Sequence, residues 1–136
     1  MKDGHYFNEY QEEVHIQGGK YHRLDGPAVI AKKGIQKWYK NGKLHREDGP
    51  AVIGSNGTLW WVRDGEYHRL DGPAIICLGG TKVWFNNGKR HREDGPAVIY
   101  SDGNKSYYLN GIPYLNIKND VLWRIEVQRL KRKKEK

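Results

Sequence analysis

A nine-residue pattern, HRxDGPAxI, recurs four times in this chain of 136 residues, at an unbroken spacing of 23 residues. Its copies begin at His22, His45, His68 and His91. An aromatic slot keeps the same step, at Trp38, Trp61, Trp84 and Tyr107. Self-similarity at a fixed period is typical of repeat architectures. The sequence therefore predicts a stack of one small unit, with full copies at about 18–40, 41–63, 64–86 and 87–109.

The repeating unit has the residues of β-structure. Apolar triplets such as Ala-Val-Ile and aromatic pairs such as Trp-Tyr favour strands. Asn-Gly or Asp-Gly between such runs predicts a two-residue hairpin turn, which needs positive φ at both residues. A proline before each triplet excludes a helix interior there (Pro27, Pro50, Pro73, Pro96). The motif aspartates are expected to accept backbone N–H groups two residues on, as Asx turns (Asp25, Asp48, Asp71, Asp94).

The stretches around the turns resemble the MORN repeat, as in WYKNGKLH at 38–45 and WFNNGKRH at 84–91. The likeness is to the divergent form in YwqK-type bacterial antitoxin proteins and in uncharacterised bacteriophage proteins, and it covers residues 18 to about 115. Arg-x-Asp follows the histidine here, where a MORN unit usually has glycine. The resemblance implies an elongated, twisted antiparallel sheet of β-hairpins that acts as a binding scaffold. The expected fold is therefore all-β over residues 1–117.

The last part of the chain, 118–136, changes character because glycine and proline disappear. Apolar residues at helical spacing predict a helix from about 120 to 132, with Asn119 or Asp120 as N-cap. Because repeat arrays need a cap, this helix is expected to cover the end of the sheet through Leu122, Trp123 and Ile125. A partner-binding helix is the alternative.

Charge and apolar content limit the function classes. The net charge is +8, of which residues 129–136 supply +5, so the body is nearly balanced. The longest apolar run, 74–78, is far shorter than the roughly 20 residues of a membrane span. The N-terminal residues have no signal-type apolar stretch, and the single cysteine, Cys77, cannot form an intramolecular disulfide. These features predict a cytoplasmic protein, in the host cytoplasm if the chain is encoded by a phage.

The repeated His-Arg-x-Asp residues have side chains found in catalytic sites, but a structural ladder explains their period better. A catalytic site needs one asymmetric constellation. Equivalent residues two strands apart lie about 9–10 Å from each other, too far for the motif histidines to share a metal ion. The sequence predicts no catalytic residue, no metal site and no cofactor. In the ladder, Asp caps the turn while Arg and His bond to neighbouring units; a repetitive binding surface is the alternative.

Three groups are candidates for binding a partner. Trp60 and Trp61 are adjacent and so point to opposite faces of a strand, which makes one of them a candidate protein-contact residue. The motif arginines form a candidate stripe: Arg23, Arg46, Arg69 and Arg92. The basic tail is the third group: Arg129, Lys131, Arg132, Lys133 and Lys134.

Together these features predict a non-enzymatic binding protein. The specific hypothesis is a bacterial or phage inhibitor or antitoxin that docks on a host macromolecule, such as a defence enzyme, and occludes its active or nucleic-acid-binding surface. The alternative is a nucleic-acid-binding protein that uses the basic tail. Open sheet edges invite pairing, so a homodimer is compatible with this architecture.

Overall fold

The computed structural model describes residues 1–135, and its dominant feature is a long antiparallel sheet. In chain order the strands are β1 Gly4–Phe7, β2 Glu13–Gln17, β3 Lys20–Tyr21, β4 Val29–Ile30, β5 Gln36–Lys37, β6 Tyr39–Lys40, β7 Lys43–Leu44, β8 Val52–Ile53, β9 Leu59–Trp60, β10 Val62–Arg63, β11 Glu66–Tyr67, β12 Ile75–Ile76, β13 Lys82–Val83, β14 Phe85–Asn86, β15 Lys89–Arg90, β16 Val98–Ile99, β17 Lys105–Ser106, β18 Tyr108–Leu109 and β19 Ile112–Pro113. Helix α1, Asp120–Lys134, follows them, and a 3-10 turn occupies Lys32–Gly34.

Each repeat contributes to two layers of hydrogen bonding. Two of its strands join the main sheet, in the order β1-β2-β4-β5-β8-β9-β12-β13-β16-β17, with β3 also paired to β2. Small separate hairpins form across the end of each copy, between its last strand and the strand that follows it: β6-β7, β10-β11, β14-β15 and β18-β19. The prediction of an all-β hairpin array with a C-terminal helix is confirmed, and the sheet does not close into a barrel. The division of each unit between the sheet and a separate hairpin was not anticipated.

The turn dipeptides close the small hairpins as predicted. Asn41 and Gly42 both have positive φ, at 50° and 80°, and the equivalent pairs repeat these values closely. The hairpins also bond to one another, since Gly42 N–H donates to the Tyr21 carbonyl at 2.9 Å and Arg23 N–H to the Tyr39 carbonyl at 3.1 Å. Each hairpin is thereby held to the preceding one along the array.

The core is thin and made of small residues. The motif alanines have no exposed surface: Ala28, Ala51, Ala74 and Ala97. Their backbones extend the sheet beyond its short strands, as where Trp38 N–H donates to the Ala51 carbonyl at 2.7 Å. Valines complete the core, among them Val14, Val29 and Val98. Because the buried side chains are small, stability depends strongly on the hydrogen-bonded loops and on the ends of the array.

Helix α1 closes the C-terminal end of the array. Asn119 is its N-cap, with its side-chain oxygen accepting from Leu122 N–H at 2.9 Å. Trp123 is completely buried, its ring centroid 5.2 Å from that of Tyr107 and 5.3 Å from that of Tyr114. No helix in residues 1–135 has the length and apolar character needed to cross a membrane.

The residues that make this cap differ in part from the prediction. Trp123 covers the sheet as expected, but Leu122 and Ile125 are 45% and 58% exposed. Val127, one helical turn after Trp123, is buried in their place. The prediction was wrong for Leu122 and Ile125 because the large indole determines which face of the helix meets the sheet, and residues four apart share that face.

Candidate protein-binding face

The four HRxDGP segments, residues 22–27, 45–50, 68–73 and 91–96, form a series of loops that we call the loop face. The prediction that the arginines bond to neighbouring units was wrong: in each loop the arginine side chain hydrogen-bonds to the aspartate and the proline carbonyl of its own loop, which lie within four residues of it. Arg46 Nε donates to Asp48 Oδ1 at 3.0 Å, and its Nη1 donates to the Pro50 carbonyl at 3.1 Å. Its guanidinium also stacks on Trp38, 4.0 Å from the ring centroid. Arg69 on Trp61 and Arg92 on Trp84 repeat this arrangement.

The motif aspartates act differently from the prediction. In every loop, the aspartate Oδ1 accepts from the arginine Nε at 2.9–3.1 Å. The expected Asx bond to the residue two positions on was wrong, because that residue is proline and has no N–H. For Asp25, the hydrogen bond from the cationic Arg23 lowers the carboxyl pKa. The aspartate therefore orients the guanidinium of its own repeat.

The glycine after each aspartate leaves room for the arginine. A Cβ placed on Gly95 would lie 2.9 Å from Arg92 Cζ, and on Gly26 it would lie 2.7 Å from Arg23 Cζ. Real Cβ atoms essentially never come this close to another heavy atom. The D-G-P part of the motif thus supplies three things to the arginine: the aspartate accepts from Nε, the glycine leaves space for the guanidinium, and the proline carbonyl accepts from Nη1.

We expect Gly95→Ala to destabilise the protein by about 1–3 kcal/mol, the usual range for overpacking in a buried position. The added methyl would displace Arg92 from Trp84 and from its two hydrogen-bond acceptors. Urea unfolding followed by circular dichroism measures this change. Gly79→Ala is the matched control, because nothing lies within 4 Å of a Cβ at that position. Equal stability of the two variants would show that the guanidinium adapts without cost.

The motif histidines connect neighbouring units, as the ladder hypothesis predicted. His45 Nδ1 accepts from the backbone N–H of Asp64 at 3.0 Å, and His68 Nδ1 accepts in the same way from Asn87. The same bond joins His22 to Asn41 and His91 to Asn110. Each imidazole therefore carries its proton on Nε2. Burial lowers the pKa of His68, and the nearby Arg63 adds to this effect while Glu66 opposes it.

Stability is expected to fall as the pH drops through the ordinary histidine range, about 6.5. Since the pKa of His68 is lower in the folded chain, the unfolded state binds the proton more readily, and acid favours unfolding. Free energies of unfolding at pH 7.5 and 5.5 test this. His68→Asn keeps an acceptor near Nδ1 but cannot titrate, so its stability should depend less on pH. An unchanged pH dependence in this variant would contradict the prediction.

Acidic and apolar side chains project from the loop face. The motif aspartate side chains are 82–87% exposed, whereas those of the arginines beneath them are only 22–27% exposed. The variable motif position alternates between Leu24 and Leu70, both exposed, and Glu47 and Glu93. A groove of about 740 Å³ separates the second and third loops, and one of about 760 Å³ separates the third and fourth. The outermost side chains of the loop face are thus acidic, although the four motif arginines lie beneath them.

The other predicted partner-binding residues lie in different places. Trp60 and Trp61 are both half-buried. Trp61 lies under Arg69, while Trp60 sits in β9 opposite Val52 and Ile75. The tail residues are all exposed at the end of α1, where Lys131 Nζ contacts Glu93 Oε2 at 2.9 Å and Arg129 pairs with Glu126. The hydrogen bond with Glu126 raises the pKa of Arg129 and lowers that of Glu126.

One specialised position was missed in the sequence. His15 lies 23 residues before Trp38, one period before the first full repeat, and its backbone N–H donates to the Ala28 carbonyl as Trp38 N–H does to Ala51. It lies beside His5 and Glu13, and these are the only three potential metal ligands that cluster within residues 1–135. Counting one further period backwards from Trp38 would have identified His15.

Comparison with known proteins adds no family assignment: no protein-family model matches the chain, and no curated protein is significantly similar to it.

Proposed function

We propose that this chain is a non-enzymatic protein-binding module, a bacterial or phage inhibitor or antitoxin that docks on a host protein through the loop face. We expect the target to be a cytoplasmic macromolecule, such as a defence enzyme. The module covers the active surface or the nucleic-acid-binding surface of this target. The observation that carries the proposal is the regular projection of acidic and apolar side chains from four loops held in one conformation.

The rigidity of the loops supports docking. Each loop is fixed by the guanidinium bonds to aspartate and to the proline carbonyl, and by the histidine bond to the next unit. A surface that is ordered before binding loses little conformational entropy on association. Side chains such as Leu70, 79% exposed, are therefore presented without a folding cost.

Charge complementarity indicates the chemistry of the partner. Six carboxylates lie on the loop face: Asp25, Glu47, Asp48, Asp71, Glu93 and Asp94. The four aspartates pair with half-buried motif arginines, and Glu93 pairs with Lys131 of the helix, but the aspartates and Glu47 project beyond the arginines, so the outermost charge over most of the face is negative. A protein surface that binds nucleic acid is basic, and complementary charge accelerates association with such a surface. The favoured partner is thus a basic, nucleic-acid-binding protein.

Affinity capture from bacterial lysate tests this proposal, with nuclease treatment and moderate salt. The bait is the full chain, compared with a Leu24→Ser/Leu70→Ser variant and a Glu47→Lys variant. We expect one stoichiometric protein that survives nuclease with the natural chain and is lost or strongly reduced with both variants. Because these side chains are exposed, the variants should retain the circular dichroism spectrum of the parent.

Leu78→Ser is the matched control, since Leu78 is 70% exposed but lies in a loop outside the loop face. It should capture the same partner in the same amount. Capture that persists in the two loop-face variants, or that fails equally in the control, would contradict docking through this face.

The alternative function, nucleic-acid binding by the tail, is favoured by one observation. The last helical turn exposes four consecutive cations, Lys131, Arg132, Lys133 and Lys134, of which Lys131 contacts Glu93. This function predicts that nucleic acid is recovered before nuclease treatment, that affinity falls steeply with salt, and that deletion of residues 129–136 abolishes binding. Protein capture that survives both nuclease and this deletion would reject the tail as the site.

A further inference from the structure

The first repeat departs from the others at the position where its arginine would stack. Arg46, Arg69 and Arg92 each lie over a tryptophan ring. The equivalent position for Arg23 is His15, and Arg23 Nη1 donates to His15 Nε2 at 3.0 Å. An imidazole nitrogen that accepts a hydrogen bond from the arginine thus replaces the indole ring on which the other arginines stack. Because the other units keep tryptophan, this substitution is local to the N-terminal edge of the array.

Two more potential ligands lie beside His15 on the same ribbon. In the β1–β2 pair, His5 is directly opposite His15, and Glu13 is two residues before His15 on the same face. The two imidazole rings stack with centroids 4.1 Å apart, and His5 Nε2 donates to Glu13 Oε1 at 2.7 Å. One ligand atom from each of the three residues lies within 4.8 Å of the other two.

We propose that His5, Glu13 and His15 form a binding site for a divalent transition-metal ion, with Zn²⁺ as the best-fitting ion. Two imidazoles and one carboxylate are a donor set that Zn²⁺ accepts, in tetrahedral geometry with a fourth position open to water. Ligand atoms around such an ion lie about 3.3 Å apart, given bond lengths of about 2.0–2.1 Å. The three ligand atoms now lie within 4.8 Å of one another, so ion binding would require the side chains to rotate closer together.

The main energetic cost of metal binding is the loss of the hydrogen bond between Arg23 and His15. Arg23 keeps its other hydrogen bonds, within its own loop. Its Nε donates to Asp25 and its Nη1 also donates to the Pro27 carbonyl at 3.2 Å. Metal binding would break only the hydrogen bond from Arg23 to His15. Because His15 Nε2 accepts this bond, the nitrogen carries a lone pair in the absence of metal. Asp25 and Glu13 together contribute two negative charges beside this one cation, so the ion enters a site of net negative charge.

Binding would also close the N-terminal end of the sheet. β1 is the edge strand and pairs only with β2 among the described strands. An ion shared by His5 on β1 and by Glu13 and His15 on β2 would tie that edge down, much as Trp123 covers the opposite end. Since the ion binds the folded state, saturating Zn²⁺ should raise the melting temperature.

Titration calorimetry of the untagged full chain with Zn²⁺, together with Co²⁺ absorption spectra, tests the site. We expect one ion per chain and visible Co²⁺ bands of a four-coordinate site that Zn²⁺ displaces. Loss of a group that merely orients a ligand costs about 10–100-fold in metal affinity, so removing a ligand should cost at least that much. His5→Gln and Glu13→Gln should each lower Zn²⁺ affinity by tenfold or more and abolish the rise in melting temperature.

Glu47→Gln is the matched control, because Glu47 lies 3.4 Å from His45 Nε2, whereas the other carboxylate beside His45, that of Asp64, contacts Nδ1 instead, so these three residues do not cluster as ligands of one ion. Its Zn²⁺ affinity should equal that of the natural chain. His5 is exposed on an edge strand, so its variant should fold, and circular dichroism checks this. Absence of binding at sub-millimolar Zn²⁺, or one-to-one binding that His5→Gln and Glu13→Gln leave unchanged, would overturn the proposal.

Discussion

Replacing Trp123 by alanine should lower the free energy of unfolding by about 3–5 kcal/mol, the range for deletion of a buried aromatic side chain. The indole has no exposed surface, packs on Tyr107 and Tyr114, and donates from Nε1 to the Arg92 carbonyl at 3.0 Å. Its loss would leave a cavity and an unpaired carbonyl at the end of the last repeat. Native domains are stable by only about 5–15 kcal/mol, so this change removes a large share of that margin.

Urea unfolding measured by circular dichroism and by tryptophan fluorescence checks the effect. Leu122→Ala is the matched control, since Leu122 is adjacent on the helix but 45% exposed, and it should cost less than about 1 kcal/mol. A second expectation concerns Tyr107, whose pKa is raised to about 12 by burial and by its hydrogen bond to Asp120. In Trp123→Ala the ring becomes accessible, so its pKa should fall toward 10. Equal stabilities of the two alanine variants would show that the helix is not needed as a cap.

Simultaneous replacement of the four motif arginines by alanine is expected to unfold the chain. Each arginine contributes about 1–2 kcal/mol through its hydrogen bonds and, for Arg46, Arg69 and Arg92, through stacking on tryptophan, after allowance for solvent at the exposed aspartate. Four such losses amount to about 4–8 kcal/mol, which is comparable with the whole stability of a domain this size. Arg23→Ala should have the smallest single effect, because it lacks the tryptophan.

The control removes the same number of positive charges from exposed positions: Arg124, Arg132, Lys133 and Lys134, each replaced by alanine. Because alanine favours helix and these side chains are solvated, the control should remain folded with the melting temperature of the natural chain. A folded quadruple-arginine variant that loses its captured partner would instead make the arginines a binding stripe. Circular dichroism, followed by the capture experiment, distinguishes the two results.

The two ends of the repeat array are closed by different side chains. At the C-terminal end, the aromatic slot holds Tyr107, and Trp123 of the helix packs against it with the two rings tilted by 47°. At the N-terminal end, His15 takes the place of tryptophan and meets His5 and Glu13. The loop face between them is uniform in construction but alternates leucine and glutamate at its outermost position. Under the proposed function, the loops are the surface that contacts the partner, and the two ends contribute to the stability of the array that presents them.

The sequence by itself determined the features that depend on neighbouring residues. Asn41-Gly42 predicts a hairpin turn because both residues tolerate positive φ, which is a local property. Pro50 excludes a helix for the same kind of reason, and Asn119 marks the helix start because its side chain reaches the next turn. The 23-residue period extends these local rules to every unit, so the fold class followed without any tertiary information.

Only the tertiary structure decided the contacts between residues that are distant along the chain. The stacking of Arg46 on Trp38, the choice of Trp123 and Val127 as the buried helix face, and the meeting of His5 with His15 all depend on how strands pair and how rings fill space. Residue type limits such contacts without selecting among them, because several partners offer similar hydrogen bonds or apolar area. The backbone register makes the selection, since it alone determines which side chains come within bonding distance.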